Sequence, residues 1–288
     1  MDKGGDAMIA VVDYQKGNLL SVERGLRAAG ADARITSDAA DILRADAIVL
    51  PGVGAFADAA ATMNELGQME AIRARVVEGV PFLGICLGLH LMFAEGSEDA
   101  PEDAPTRGLG FLPGCVDKMP SEDAAGRFYK VPHVGWNTLM VPTGSRPPER
   151  ADAAAACGTR SSRDLGGSRS EVRHAPEISR ISGTAGALAD VTATSDLSEV
   201  EEDNGAETFA CPLLEGIAPG TYFYFTHSYI APASVATVAQ TEHSVVFPSV
   251  VMAAPNVFGT QFHPEKSSDA GARVLHNFVR IAGEGKAR

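Results

Sequence analysis

The chain has 288 residues, a length for one domain with an appendage or for two small domains, and 45% of them are hydrophobic, enough for a real core. A net charge of −13, with the basic charge mostly from Arg, excludes the basic footprint of a nucleic-acid binder and the polybasic patch of a lipid-surface protein. No apolar run exceeds strand length, residues 1–6 lack an apolar signal region, and four Cys without a CxxC pair exclude a disulfide framework or zinc ribbon, so a reduced, cytoplasmic setting is expected.

The first third alternates two periodicities. Met8 to Val12 is a short, fully apolar run, as a buried parallel strand requires. Asn18 is placed to cap a helix bearing Leu19, Val22, Leu26 and Ala29, which Gly30 ends. A strand follows near Ala33–Ile35, another at Ala47–Leu50, and a helical pattern from Phe56 to Gly79. Pro81 to Ile85 reads as a fourth strand, and Leu87 to about Ala94 as a helix. Strands separated by helices give an α/β fold, an open and mostly parallel sheet with helices on both faces.

After residue 108 the texture changes. Phe111–Met119, His133–Val141, Thr221–Ile230, Val235–Thr241 and Val250–Ala254 read as hairpin strands, an antiparallel extension. Val257–Phe262 returns to the sheet and Ser268–Ile281 is a closing helix. Residues 143–210 stand apart, with nine Ile, Leu, Val, Met or Phe, seven Arg, twelve acids, no Lys and one aromatic, Phe209. So little apolar surface cannot offset the entropy of ordering, and the segment reads as a disordered or loosely helical insertion. A small helical subdomain built on Ile178, Ile181, Leu188 and Val191 is the rival reading.

Three stretches carry chemistry. In Gly84-Ile85-Cys86-Leu87-Gly88 an apolar strand ends and a helix begins around one Cys, with Gly two residues before and after it. That is the layout of a nucleophile elbow, in which a sharp turn exposes the side chain. The helix N-terminus favours thiolate. A small buried core Cys is the plainer alternative. In Gly259-Thr260-Gln261-Phe262-His263-Pro264-Glu265, the His and the Glu are two apart. On an extended backbone both project to one side, so the carboxylate can orient the imidazole and leave its other nitrogen for a thiol. Such a pair alone is weak, and a solvated surface pair is the commoner case. The Cys elbow upstream strengthens it. Pro51-Gly52-Val53-Gly54 also ends an apolar strand. An amide of this turn, with that of Leu87, could form an oxyanion hole. A phosphate loop is the rival, but no P-loop or dinucleotide fingerprint follows.

With these motifs the chain resembles the class I, or triad, glutamine amidotransferases, a flavodoxin-like fold. Ile9 to Tyr14, Gly17-Asn18-Leu19 with Ser21-Val22, Pro51 to Phe56, Lys130 to Asn137, Tyr224 to Tyr229 and Gly259 to Ser267 narrow the resemblance to the glutaminase subunits of imidazole glycerol phosphate synthases. It spans one domain over 8–283, interrupted by 143–210. The resemblance implies that Cys86 attacks the side-chain amide of L-glutamine and forms a thioester, that His263 relays protons, and that Glu265 orients His263. It implies an oxyanion site at Gly52, Val53 and Leu87, and a glutamine pocket drawing on His90, Glu98, Ser228 and Tyr229. It also implies a partner, a (β/α)₈-barrel cyclase subunit that uses the ammonia to make imidazole glycerol phosphate and an aminoimidazole carboxamide ribotide in histidine biosynthesis. Asn18, Val134, Trp136 and Lys266 are the candidate interface residues, although core packing for Trp136 and plain solvation for Lys266 fit as well. No cofactor and no metal is expected, since no His or Cys spacing suits one. His133 and His227 are expected to be structural or interfacial rather than catalytic. Two positions depart from the family. His90 stands where Gln is usual, and Gln15 follows Tyr14 where Gly is usual.

Overall fold

The computed structural model describes residues 7–101, 104–142 and 208–286. In chain order the elements are β1 (Met8–Val12), α1 (Leu19–Ala28), β2 (Asp32–Thr36), α2 (Ala39–Arg44), β3 (Ala47–Gly52), α3 (Phe56–Glu65), α4 (Gln68–Val77), β4 (Phe82–Cys86) and α5 (Leu87–Leu91), then β5 (Phe93–Gly96), β6 (Thr106–Arg107), β7 (Leu112–Lys118) and β8 (His133–Thr138). After the undescribed residues come β9 (Tyr222–His227), β10 (Tyr229–Ile230), β11 (Thr237–Glu242), β12 (Val246–Ala254), β13 (Val257–Thr260) and α6 (Ser268–Lys286).

The main sheet has seven strands in the order β11-β12-β13-β4-β3-β1-β2. Five of them, from β13 to β2, run parallel. β11 and β12 add antiparallel to β13. The apolar strands are buried on both faces, so alternate residues serve two cores. Ile9, Val11, Val49, Leu83 and Phe258 pack with Val22 and Leu26 of α1 and Val274, Leu275 and Phe278 of α6. Ala10, Val12, Ile48, Leu50 and Phe82 pack with Phe56, Ala59 and Met63 of α3 and Ile72 of α4. The period of two along each strand thus sorts side chains between the layers.

Four expectations need correction. The helical pattern over 56–79 is two helices, because Gly67 turns left-handed at φ 68° and breaks the ladder. The helix from Leu87 stops at Leu91, since Phe93 begins a strand that pairs parallel with Leu112, and α2 was not foreseen at all. That parallel pairing also means β5 and β7 are not a hairpin; they belong to a second sheet, β10-β7-β5-β6. Asn18 holds the N-cap position of α1, but its side chain makes no capping bond, and its carbonyl accepts from Ser21 and Val22 instead.

The expected insertion lies outside the described residues up to 207. Its far end does not belong to it. Phe209 is buried in the α6-side core beside Cys211 and Leu213, so the core resumes before residue 211. Among the described residues no helix is long and apolar enough to cross a membrane.

Candidate active site

Parallel strands bring their carboxyl ends to one edge, where ligands bind in open α/β sheets. Here that edge gathers the Tyr14 loop after β1, the Gly52 turn after β3, Cys86 after β4 and His263 after β13. Gly52 stands directly beside Cys86 in the β3–β4 register.

Cys86 adopts φ 54° and ψ −105°, a conformation L side chains rarely occupy, and α5 starts at the next residue. The elbow expected from the sequence is therefore strained in the way that a projecting nucleophile requires. Its glycines work by close approach. A Cβ on Gly88 would overlap the Leu50 carbonyl, and one on Gly84 would press on the Gly88 carbonyl at 2.5 Å. A side chain at either position would push the helix off the sheet and move the thiol. Cys86 is 6% exposed, and its Sγ lies 3.9 Å from the Thr226 carbonyl and 3.8 Å from Nε2 of Gln261.

His263 follows β13 and is held through Ser267, whose hydroxyl donates to the His263 carbonyl at 2.7 Å. Its Nδ1 meets Glu265 Oε1 at 2.9 Å, and both side chains are almost fully buried. Nε2 has no hydrogen-bond partner of its own, and Cys86 is the neighbour that acts on the ring. Burial alone would pull the imidazole down. The contact with Cys86 and the bond to Glu265 outweigh it and lift His263 to about 10. This is the signature of an imidazolium that a neighbouring thiolate and carboxylate both favour.

The expected oxyanion turn divides. Val53 and Leu87 line the cleft, while Gly52 lies beneath it, where an added Cβ would overlap the Tyr14 hydroxyl. Tyr14, the last residue of the Ile9 to Tyr14 motif, has a place in this site that its motif alone does not state. It is buried under the turn with its hydroxyl 3.5 Å from the Val53 carbonyl, and burial followed by proximity to Cys86 raises its phenol far above the usual value. Beside it Gln15 takes φ 69°, the left-handed conformation for which the usual Gly is suited, and donates its amide to Asp13.

The cleft is small, about 180 Å³, and lined by Val53, Cys86, His90, Glu98, Ser228 and Tyr229 among others. That volume suits one small metabolite better than a nucleotide. All four expected pocket residues meet there. Glu98 also caps the start of α3 by accepting from the Phe56 amide at 3.1 Å, and burial raises its carboxyl. His90 points inward to Gln261, its Nε2 2.8 Å from Oε1, and burial, against upward pulls from Gln261 and the Tyr229 carbonyl, lowers the imidazole to about 4.

Behind the cleft runs a directed chain of histidines. His227 Nδ1 donates to the Tyr229 carbonyl at 2.9 Å, which leaves its Nε2 to accept from His133 Nδ1 at 3.2 Å. His133 Nε2 then accepts from Asn137 at 3.4 Å. Every link requires neutral rings, and burial depresses both, His133 to about 4 and His227 well below its ordinary value. Both rings are buried, so neither is an interface residue. An acid-labile fold follows. Unfolded His takes up protons near pH 6.5, whereas these rings resist until about pH 4, so stability is full above that window and is lost as pH falls through it. His90 alone contributes on the order of 3 kcal/mol. Urea midpoints measured from pH 7 to 4 are expected to drop steeply, with a shallower drop for His90→Gln; parallel curves would contradict this account.

Among the described residues no group of three or more His, Cys, Asp or Glu could hold a metal ion. Cys115 is half-buried, Cys211 is buried, and Cys157 lies outside the described residues.

The interface candidates are placed as follows. Val134 and Trp136 lie about half exposed on the β8–β9 hairpin, with Trp136 edge-on to Tyr224 at 6.1 Å. Lys266 is exposed, its Nζ 5.9 Å from the Tyr224 ring centre. Trp136 is therefore not a core residue.

The model of the class-I glutamine amidotransferase family matches residues 10–282. The chain belongs to this family. Within it, the chain is 37% identical over 280 residues to the imidazole glycerol phosphate synthase subunit HisH of Moorella thermoacetica, covering 96% of this chain and 97% of that one. It is 35% identical over 275 residues to the HisH of Methanothermobacter thermautotrophicus, covering 95% and 98%. The crystal structure of a glutamine amidotransferase shares the fold, with a TM-score of 0.55 at 16% identity over 96% of this chain and 98% of that one. The open, mostly parallel α/β sheet expected from the strand and helix pattern, and the amidotransferase family that the motifs resemble, both stand.

Proposed function

We propose that this chain is the glutaminase subunit of an imidazole glycerol phosphate synthase, acting in the cytoplasm through Cys86, His263 and Glu265. The observation that carries the reading is the elbow Cys86 at φ 54° facing an imidazole that Glu265 holds at 2.9 Å, in a chain over one-third identical to HisH subunits. Sγ attacks the side-chain amide carbon of glutamine. The negative charge on oxygen turns to the Leu87 amide and the Val53 turn above Gly52. His263 gives its proton to the departing ammonia as the C–N bond breaks and leaves a thioester, and water, deprotonated by His263, then breaks the C–S bond to release glutamate and restore Cys86. Glu98, His90, Ser228 and Tyr229 shape the pocket for the amino-acid end. One domain over 8–283 contains all of these groups, interrupted from 143 and resuming before the buried Phe209.

Free ammonia protonates in water, so the product is best handed to a partner. The partner in this reading is a (β/α)₈-barrel cyclase subunit. The exposed Val134 and Trp136, with Lys266 and Asn18, are the surface offered to it. An exposed Trp is the residue type that most often anchors an interface. The test has two arms. A glutamine-analogue electrophile is expected to label Cys86, as mass spectrometry reads; no label at Cys86 rejects the glutaminase. Trp136→Ala is expected to weaken the complex with the (β/α)₈-barrel cyclase subunit by roughly 30-fold or about 2 kcal/mol, read by calorimetric titration. Unchanged affinity rejects this face.

A further inference from the structure

Gln261 lies two residues before His263, is wholly buried, and belongs to none of the catalytic roles above. Its amide joins two groups 171 and 175 positions away in the chain, His90 at 2.8 Å on Oε1 and the Cys86 sulfur at 3.8 Å on Nε2. Oε1 of an amide can only accept, so the His90 nitrogen that faces it at 2.8 Å, Nε2, is the donor. That donation fixes the amide. With Oε1 turned to His90, the N–H end must face the sulfur.

The geometry points to Gln261 as a hydrogen-bond donor that steadies the Cys86 thiolate, and to His90 as a positioning residue that acts through it. This deepens the glutaminase reading and rests on it. It also gives His90 a task other than contacting glutamine. A donor to a charged acceptor is worth about twice a neutral one, and more in a buried setting. Here the donor comes from the end of β13, as does His263. The other titratable groups near the sulfur are His263 and Tyr14, with His90, Glu98 and His227 along the same cleft. Depressed basicity keeps His90 uncharged at neutral pH, so the arrangement persists there.

The test is the pH profile of Cys86 alkylation by iodoacetamide in the full chain, without glutamine. It reads the thiolate directly and is independent of substrate binding. Gln261→Leu removes the donor and is expected to raise the midpoint by about one pH unit, a loss of up to tenfold in rate below it. Gln261→Glu keeps an acceptor for His90 and replaces the donor by oxygen; its midpoint is expected to rise as well, which keeps the test open should the Leu variant not fold. His90→Phe frees the amide to turn and is expected to give a smaller rise. Wild-type profiles in both Gln261 variants overturn the proposal. A wild-type profile in His90→Phe with a raised KM for glutamine overturns the positioning role and returns His90 to the substrate pocket. Failure of the glutaminase itself shows separately, as the absence of labelling by the glutamine analogue.

Discussion

Replacing Cys86 by Ser or Ala is expected to cut ammonia release from glutamine by at least about 10⁴-fold while leaving the fold intact. Removing the nucleophile of a triad leaves only the binding and oxyanion contributions, so the loss is of that order or larger. Ser is nearly isosteric but a poor nucleophile beside an imidazole already biased towards its charged form. Glutamine turnover checks the activity, and urea unfolding checks the fold. Retained turnover removes Cys86 from the reaction. The backbone at this position supplies an internal control. At φ 54° and ψ −105° any L side chain is strained, on the order of 1–3 kcal/mol. Cys86→Gly is therefore expected to be as inactive as Cys86→Ala but more stable. Equal stability would mean that the elbow stores no strain.

Glu265→Gln is expected to lower kcat by roughly 10³- to 10⁴-fold with KM for glutamine little changed. The carboxylate accepts from Nδ1 of His263, which leaves Nε2 to exchange protons with the thiol. An amide in its place can donate to Nδ1, which puts the proton on Nε2 and blocks it from receiving one. The sign of the pH effect follows. Glu265 and Cys86 together hold His263 up at about 10. Losing the carboxylate lets burial pull it back down, so less imidazolium faces the thiolate at neutral pH and Cys86 reacts only at higher pH. Steady-state kinetics with an alkylation profile measures both effects. A loss below tenfold, or a profile that does not move, would show that Glu265 is structural only.

These two effects differ from those at Gln261 and His90 in their reach. The triad residues act on every turnover through proton transfer. Gln261 changes how readily the sulfur ionises, a smaller effect that a pH profile separates from lost chemistry.

Much of the triad was legible because it is written in short-range pattern. A strand of Phe82 to Ile85 running into glycines on both sides of Cys86 states a sharp turn before a helix, and the turn is present with Cys86 at positive φ. His263 and Glu265 share a side of the backbone because they are two apart, and they meet at 2.9 Å. The sheet was equally legible. Apolar runs such as Met8–Val12 and Ala47–Leu50 fit only a strand buried on both faces.

Other features needed the assembled chain. The pattern over 56–79 kept one helical period, yet a single left-handed Gly67 divided it. Leu87 to Ala94 looked helical in isolation, but Phe93 found a strand partner at Leu112, nineteen positions on, and tertiary pairing overrode propensity. His90 marked a departure from the family pattern, and its partner could not be read from it.

The sequence by itself determined the strand and helix order, the elbow and the His–Glu pair, because backbone hydrogen bonding and side-chain direction over a few residues follow from residue type and period. Only the tertiary structure decided that Tyr14 lies under the oxyanion turn, that His133 and His227 form a neutral buried chain, and that His90 reaches Cys86 through Gln261. Those contacts join residues tens to 175 positions apart. Their geometry is set by how the ends of β1, β4, β9 and β13 come together around Cys86, which no pattern along the chain states.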